Sequence, residues 1–159
     1  MFENDDEFDE DAVVVQIFMH IIFATKGRRP LIVPELQGEM WDCLTGIATQ
    51  NGMEAFAIGG TENHVHILTS QDVNLSVDQV IELYKTGSVA WANDEVFPAK
   101  DFAWQENCAA FSVSAEDIPR VSRFIHRQAT YHKRITFERE FLSFLDRHGI
   151  EYDPDNVFD

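Results

Sequence analysis

The sequence is short of cysteine, short of bases and free of long apolar runs. Only two of its 159 residues are cysteine, Cys43 and Cys108, and neither belongs to a CxxC or Cys/His spacing. That excludes a disulfide framework and makes both thiols ordinary ones of a reducing compartment. Lys and Arg total 12 against 28 Asp and Glu, a formal charge of −16. A balance of that sign excludes a generally basic nucleic-acid coat and a polybasic membrane anchor. The apolar stretch from Val13 to Phe23 is interrupted by Gln16 and His20 and follows an acidic leader. A spanning helix needs about 20 apolar residues and a secretory signal starts with bases, so the chain is expected to be soluble and cytoplasmic, with no membrane partner.

What is present is a chain of 18.2 kDa, 45% hydrophobic, the size of one globular domain. Seven of the acids fall in residues 1–11 and four in residues 151–159, and neither end carries a Lys or Arg. Residues 1–11 therefore read as an acidic disordered tail and 12–159 as a single domain. The bases are concentrated too. Lys26, Arg28 and Arg29 form one cluster, and seven more lie between Arg120 and Arg147. Local fields of this kind, rather than the total, decide where a phosphate can bind.

Patterning gives the elements. Val13 to Thr25 reads as a strand with Val13, Val15, Ile17, Met19, Ile21 and Phe23 on one side. Residues 26–33 form a loop, and Pro34 starts a helix in which Leu36, Met40, Leu44 and Ile47 recur at helical spacing up to Asn51-Gly52. Met53–Ile58 and His64–Thr69 read as a hairpin about a turn at Gly59-Gly60. Ser76 caps a helix carrying Val77, Val80, Ile81, Tyr84 and Val89. Residues 94–107 read as irregular and Ala109–Val113 as a short strand. Ser114 and Asp117 have the form of a capping box, followed by a helix carrying Val121, Phe124, Ile125 and Gln128. A second helical stretch, Phe137–Leu145, closes at Gly149. The order predicts an α+β fold, a split βαβ arrangement with a C-terminal helical extension.

The sharpest chemical feature is the His-Val-His run at 64–66. Two histidines one residue apart on a strand share a face and can ligate one cation. His20 could share that face. On a helical wheel Arg120, Arg123, Arg127 and Arg134 fall within about 60° of one another, beside Phe124, Gln128 and Tyr131, and could form a phosphate-binding stripe. Such a stripe could equally be a solvated basic face. The acidic leader could compete with phosphate for these bases or serve only as a solubilising tail.

The ordered set HIIFATKGRRP (20–30), IGGTENHVHIL (58–68), LYKTGSVAWAN (83–93), FAWQENCAAFSVS (102–114), RFIHRQATYHKRITFEREFLSFL (123–145) and HGIEYD (148–153) resembles the HUH single-tyrosine transposases of the insertion-sequence and REP-associated type. The resemblance spans residues 14–159. It implies a ferredoxin-like antiparallel sheet with helices on one face and the histidine pair on the other. It also implies cleavage and rejoining of single-stranded or hairpin DNA by a homodimer in which the histidines of one subunit face the nucleophile helix of its partner, and an Mg²⁺ or Mn²⁺ ion held by His64, His66 and Gln128. By the same likeness Lys26, Arg28, Arg29, Lys85, Arg120, Arg123, Arg127 and Arg134 contact DNA. Where the family has its nucleophilic tyrosine this chain has Phe124. A benzene ring keeps the packing of a phenol and lacks the attacking oxygen, so the resemblance implies a DNA-binding protein impaired in strand cleavage. Three alternatives stay open. Tyr131 could substitute, although in a continuous helix it lies roughly 10 Å further along the axis; a bound cation could activate water; or the domain could be a relic with a protein-interaction role.

Overall fold

Residues 14–72 and 74–158 are described by a computed structural model; the acidic tail expected over 1–11 lies outside them. Four strands alternate with helices: β1 (Phe18–Thr25), α1 (Pro34–Gln50), β2 (Ala55–Gly60), β3 (His64–Ser70), α2 (Val77–Glu95) and β4 (Trp104–Val113). Three C-terminal helices follow: α3 (Ile118–His126), the single turn α4 (Gln128–Tyr131) and α5 (Phe137–Arg147). The sheet order is β2-β3-β1-β4 with each neighbouring pair antiparallel, which is the ferredoxin-like split βαβ arrangement. No described helix is long and apolar enough to cross a membrane.

Strand alternation sorts the side chains between two faces. Met19, Ile21, Phe23, Val65 and Ile67 form one core with Met40, Leu44 and Ile47 of α1 and Val80, Ile81 and Tyr84 of α2. α1 starts at Pro34, and α2 carries a reciprocal capping box between Ser76 and Gln79. On the second face Ile22, Ala24 and Phe111 pack against Phe137, Phe141 and Phe144 of α5, while Ala57 and Leu68 pack against Val121 and Ile125 of α3. The two helices of the split βαβ unit thus share one face, and the C-terminal extension covers the other. His20, His64 and His66 are sealed between the sheet and that extension.

Several elements differ from the sequence expectation. β1 begins only at Phe18, and Val14, Val15 and Ile17 stand exposed ahead of it. β4 begins at Trp104, so its first four residues fall in the stretch read as irregular, and the strand expected at Ala109–Val113 is its second half. Gly59 and Gly60 are not the hairpin turn. They continue β2, paired with His66 and Val65, and the turn is made by residues 61–63. A Cβ on Gly59 would collide with the carbonyl oxygen of Ile125, and one on Gly60 with the carbonyl oxygen of His64, so the pair is there for close approach. Ser114 and Asp117 form no capping box: Ser114 Oγ donates to the Asp117 carboxylate at 3.1 Å, and α3 opens through a 3₁₀ turn at Ala115–Asp117. Finally, the helix carrying Phe124 and Gln128 is not continuous. Arg127 leaves helical geometry at φ −103°, ψ 16°, and its N–H turns back to the Phe124 carbonyl.

Candidate metal centre and arginine groove

The site is assembled from three directions. β3 presents His64 and His66 on one face; the break at Arg127 turns Gln128 inward; α5 brings Glu140 from the far side. All four side chains are essentially inaccessible, at 0–1% exposure. His64 Nε2 lies 2.8 Å from Gln128 Oε1, and Gln128 Nε2 donates to Glu140 Oε2 at 3.0 Å. The other Glu140 oxygen accepts from His66 Nε2 at 2.7 Å. His132 completes the group, its Nε2 standing 2.8 Å from Gln128 Oε1 and 3.1 Å from Glu140 Oε2. The ligating atoms of His64, His66, His132 and Glu140 all lie within 4.8 Å of one another.

Hydrogen-bond polarity tests whether this donor set suits a cation. His132 Nδ1 donates to the Ile135 carbonyl at 2.7 Å, and His64 Nδ1 can donate to Asn63 Oδ1 at 2.9 Å. Those bonds favour tautomers whose Nε2 lone pairs point inward, toward the oxygens of Gln128 and Glu140. Lone pairs converging on lone pairs require protons or a cation between them. Three imidazoles, a carboxylate and an amide oxygen are a donor set that a divalent ion fits.

Without an ion, protons fill that role. Burial opposes the charge on His132, but the Glu140 carboxylate hydrogen-bonded to it raises its pKa above the ordinary histidine value. Burial also opposes the Glu140 carboxylate, and the hydrogen bonds from His132 and His66 outweigh it, holding the group ionised well below the usual carboxylate range. Desolvation, reinforced by His66, takes His64 down to about 3. His20 is likewise lowered by burial and by its neighbour His66, whose Nδ1 it meets at 2.8 Å through Nε2. His20 does share the face of the histidine pair.

Gln128, His64 and His66 come together within one chain, where the resemblance implies the histidines of one subunit facing the nucleophile helix of its partner. Glu140 and His132 were missed. Phe137, Phe141, Phe144 and Leu145 form the buried stripe of α5, and Glu140 sits inside it, one residue before Phe141. A charge in an apolar stripe is the signal that marks it, since a fully buried carboxylate needs partners. His132 lies four residues after Gln128 and carried no comparable mark.

Phe124 stands beside the cluster, its ring edge-on to His66 with centroids 5.7 Å apart. The Tyr131 ring is 5.2 Å from that of Phe124, which corrects the roughly 10 Å axial offset expected of a continuous helix. The break at Arg127 is the reason. Arg120, Arg123, Arg127 and Arg134 all line one groove of about 660 Å³ with Phe124 and Tyr131. Of the remaining candidate bases, Arg28 and Lys85 are held by the fold itself. Arg28 pairs with Glu138 at 2.9 Å and lies 4.8 Å over the Phe158 ring. Lys85 donates to the carbonyls of Gln105 and Glu106. Arg29 approaches Asp101 only at 3.9 Å, and Lys26 is exposed on the same turn.

The fold has counterparts among known proteins. A solved structure of a Deinococcus radiodurans protein described as a candidate transposase superposes with a TM-score of 0.60 at 24% identity, covering 74% of this chain and 94% of that one. A REP-associated tyrosine transposase bound to a REP hairpin gives 0.57 at 13% identity, covering 93% and 92%. The ISDra2 transposase TnpA of Deinococcus radiodurans is 31% identical over 75 residues, 47% of this chain and 54% of that protein, so the match spans about half the relative's length. The family pattern described as "Transposase IS200 like" matches residues 13–128, ending at Gln128 and short of His132 and Glu140. The chain belongs to the IS200-like transposase family.

Proposed function

We propose that the chain binds single-stranded or hairpin DNA along the groove of Arg120, Arg123, Arg127 and Arg134, beside a divalent ion held by His64, His66 and Gln128 with Glu140 and His132. In this reading no strand is cleaved through position 124. The observation that carries it is the convergence of these five side chains next to Phe124. A divalent ion bound there would polarise a phosphodiester. The chain's own groups do the rest. Asn63 and Ile135 orient the imidazoles, Glu140 offsets the ion's charge, and the guanidinium groups hold backbone phosphates. Phe124 and Tyr131 offer ring faces for bases.

Imidazole-rich ligation favours Mn²⁺ over Mg²⁺ among the two expected ions. Phe124 has no oxygen to attack phosphorus, so no phosphotyrosyl bond can form there. The hairpin seen on one structural relative supports the choice of ligand. A homodimer remains part of the reading by family resemblance, but Phe124 and Gln128 reach the histidine pair within one chain, so a partner is not needed to assemble the ligands. Native and denaturing gels of a hairpin oligonucleotide with and without Mn²⁺ test the proposal. It expects a retarded complex and no covalent adduct, and absence of binding at low salt contradicts it.

A second reading is favoured by one observation. Tyr131 borders the same groove, its ring touches that of Phe124, and its hydroxyl has no hydrogen-bond partner among the described residues. A covalent protein–DNA adduct formed by the wild-type chain and lost in Tyr131→Phe would select it.

A further inference from the structure

Phe124 and Arg120 also border a second, more enclosed cavity of about 370 Å³. Five of its lining side chains are rings. The His148 ring stacks on Phe111 at 4.2 Å, and Phe111 in turn stacks on Phe144 at 5.6 Å. His20, 97% buried by its 3% exposure, also lines it. Nε2 of that ring is committed to His66, and Nδ1 has no partner among the described residues. Arg147 borders the same cavity, its guanidinium 4.6 Å over the Phe144 ring. Its one hydrogen bond is to the Ser143 carbonyl at 3.4 Å, and no carboxylate pairs with it among the described residues. Asp117, the one acid of the lining, is engaged by Arg120 at 3.5 Å.

We propose that this cavity receives one unstacked base of a single strand whose backbone lies along the arginine groove. Aromatic side chains in the lining suit a flat heterocycle, and a ring nitrogen of His20 without a protein partner suits the hydrogen-bonding edge that every base carries. Arg147 is placed for the phosphate of the inserted nucleotide. The cavity and the groove share Phe124 and Arg120, so a strand can pass from one to the other beside both side chains. Unstacking costs least in a strand that is already single. The inference rests on the DNA-binding reading above and adds a base-binding subsite to it.

The test uses the full chain and an end-labelled single-stranded oligodeoxynucleotide carrying aminopurine, an adenine analogue quenched by aromatic stacking, at each position in turn. Anisotropy of the label reports binding, and aminopurine emission reports insertion. Wild type is expected to bind and to quench at one position. Val113→Trp, which enlarges a half-buried lining side chain on the same strand face as Phe111, is expected to lose that quenching and to bind about tenfold more weakly. Arg147→Ala is expected to weaken binding severalfold while keeping the quenching. With wild type, deoxyadenosine monophosphate should restore emission and abasic deoxyribose phosphate should not, a measurement that stands even if Val113→Trp fails to fold. Binding without quenching at any position, unchanged quenching in a folded Val113→Trp, or equal competition by the two monophosphates overturns the subsite and leaves the DNA reading intact. No binding by wild type overturns both.

Discussion

The ring of Phe124 meets the imidazole of His66 edge-on, 5.7 Å from centroid to centroid. His66 in turn donates a hydrogen bond to Glu140, which also accepts from Gln128 and His132. In the proposed reading this half-buried ring stands where an attacking hydroxyl would be needed, and it carries none.

The proposed ion site predicts a stabilisation by the ion. A ligand bound only by the folded state at about 100 times its dissociation constant adds about 2.7 kcal/mol. Mn²⁺ is therefore expected to raise the melting temperature of the wild-type chain, and more than Mg²⁺ at equal concentration. The increment should fall sharply in Glu140→Gln, which keeps the shape and removes the charge. Scanning fluorimetry with each ion checks this.

Much of that arrangement is readable in the sequence, and the exceptions have physical causes. Alternation along β3 places His64 and His66 together because strand geometry is local. Gln128 is another matter, since its inward turn depends on the break at Arg127, which no propensity marks. Gly59-Gly60 reads as a turn because that dipeptide usually is one, and only the approach of the Ile125 carbonyl explains it as strand. Val14 to Ile17 have strand composition but no neighbour to pair with in the sheet. Glu140 was visible as a charge in an apolar stripe, yet the partners that stabilise it come from β3 and α4, far away in sequence.

Acid should loosen the metal-free protein. His64 is held neutral, its pKa lowered to about 3 by burial and by His66, and His20 is lowered too. Between that value and the ordinary histidine pKa of about 6.5 the unfolded chain binds more protons than the folded one, so stability falls as pH falls through this window. His64 alone accounts for about 2 kcal/mol between pH 6.5 and about pH 5. His132, raised by Glu140, works in the opposite direction, its contribution being lost as pH rises through its folded pKa. Denaturant unfolding at a series of pH values in the presence of a chelator measures the balance, and a net loss of stability toward acid is expected.

Gly59→Ala should be costly for so small a change. The added methyl meets the Ile125 carbonyl and side chain and pushes α3 off the sheet. Overpacking of this kind costs about 1–3 kcal/mol. Because α3 carries Phe124, hairpin binding should weaken in the same variant, as read by denaturant unfolding and mobility shift together.

Arg123 is exposed and has no carboxylate partner among the described residues. Arg123→Ala should leave the melting temperature nearly unchanged, weaken binding across hairpin sequences alike, and reduce the slope of log affinity against log salt by about 1. A strongly sequence-dependent loss would assign this arginine to base recognition instead.

The most direct measurement restores one atom. Phe124 borders two cavities, so a para-hydroxyl has space to enter. Wild type and Phe124→Tyr, each with Mn²⁺ and a single-stranded hairpin substrate, are compared on a denaturing gel. The account predicts a covalent protein–DNA adduct and a new 3′-hydroxyl end with the variant alone. An adduct with wild type, or none with a variant that still folds and binds both Mn²⁺ and the hairpin, would contradict it.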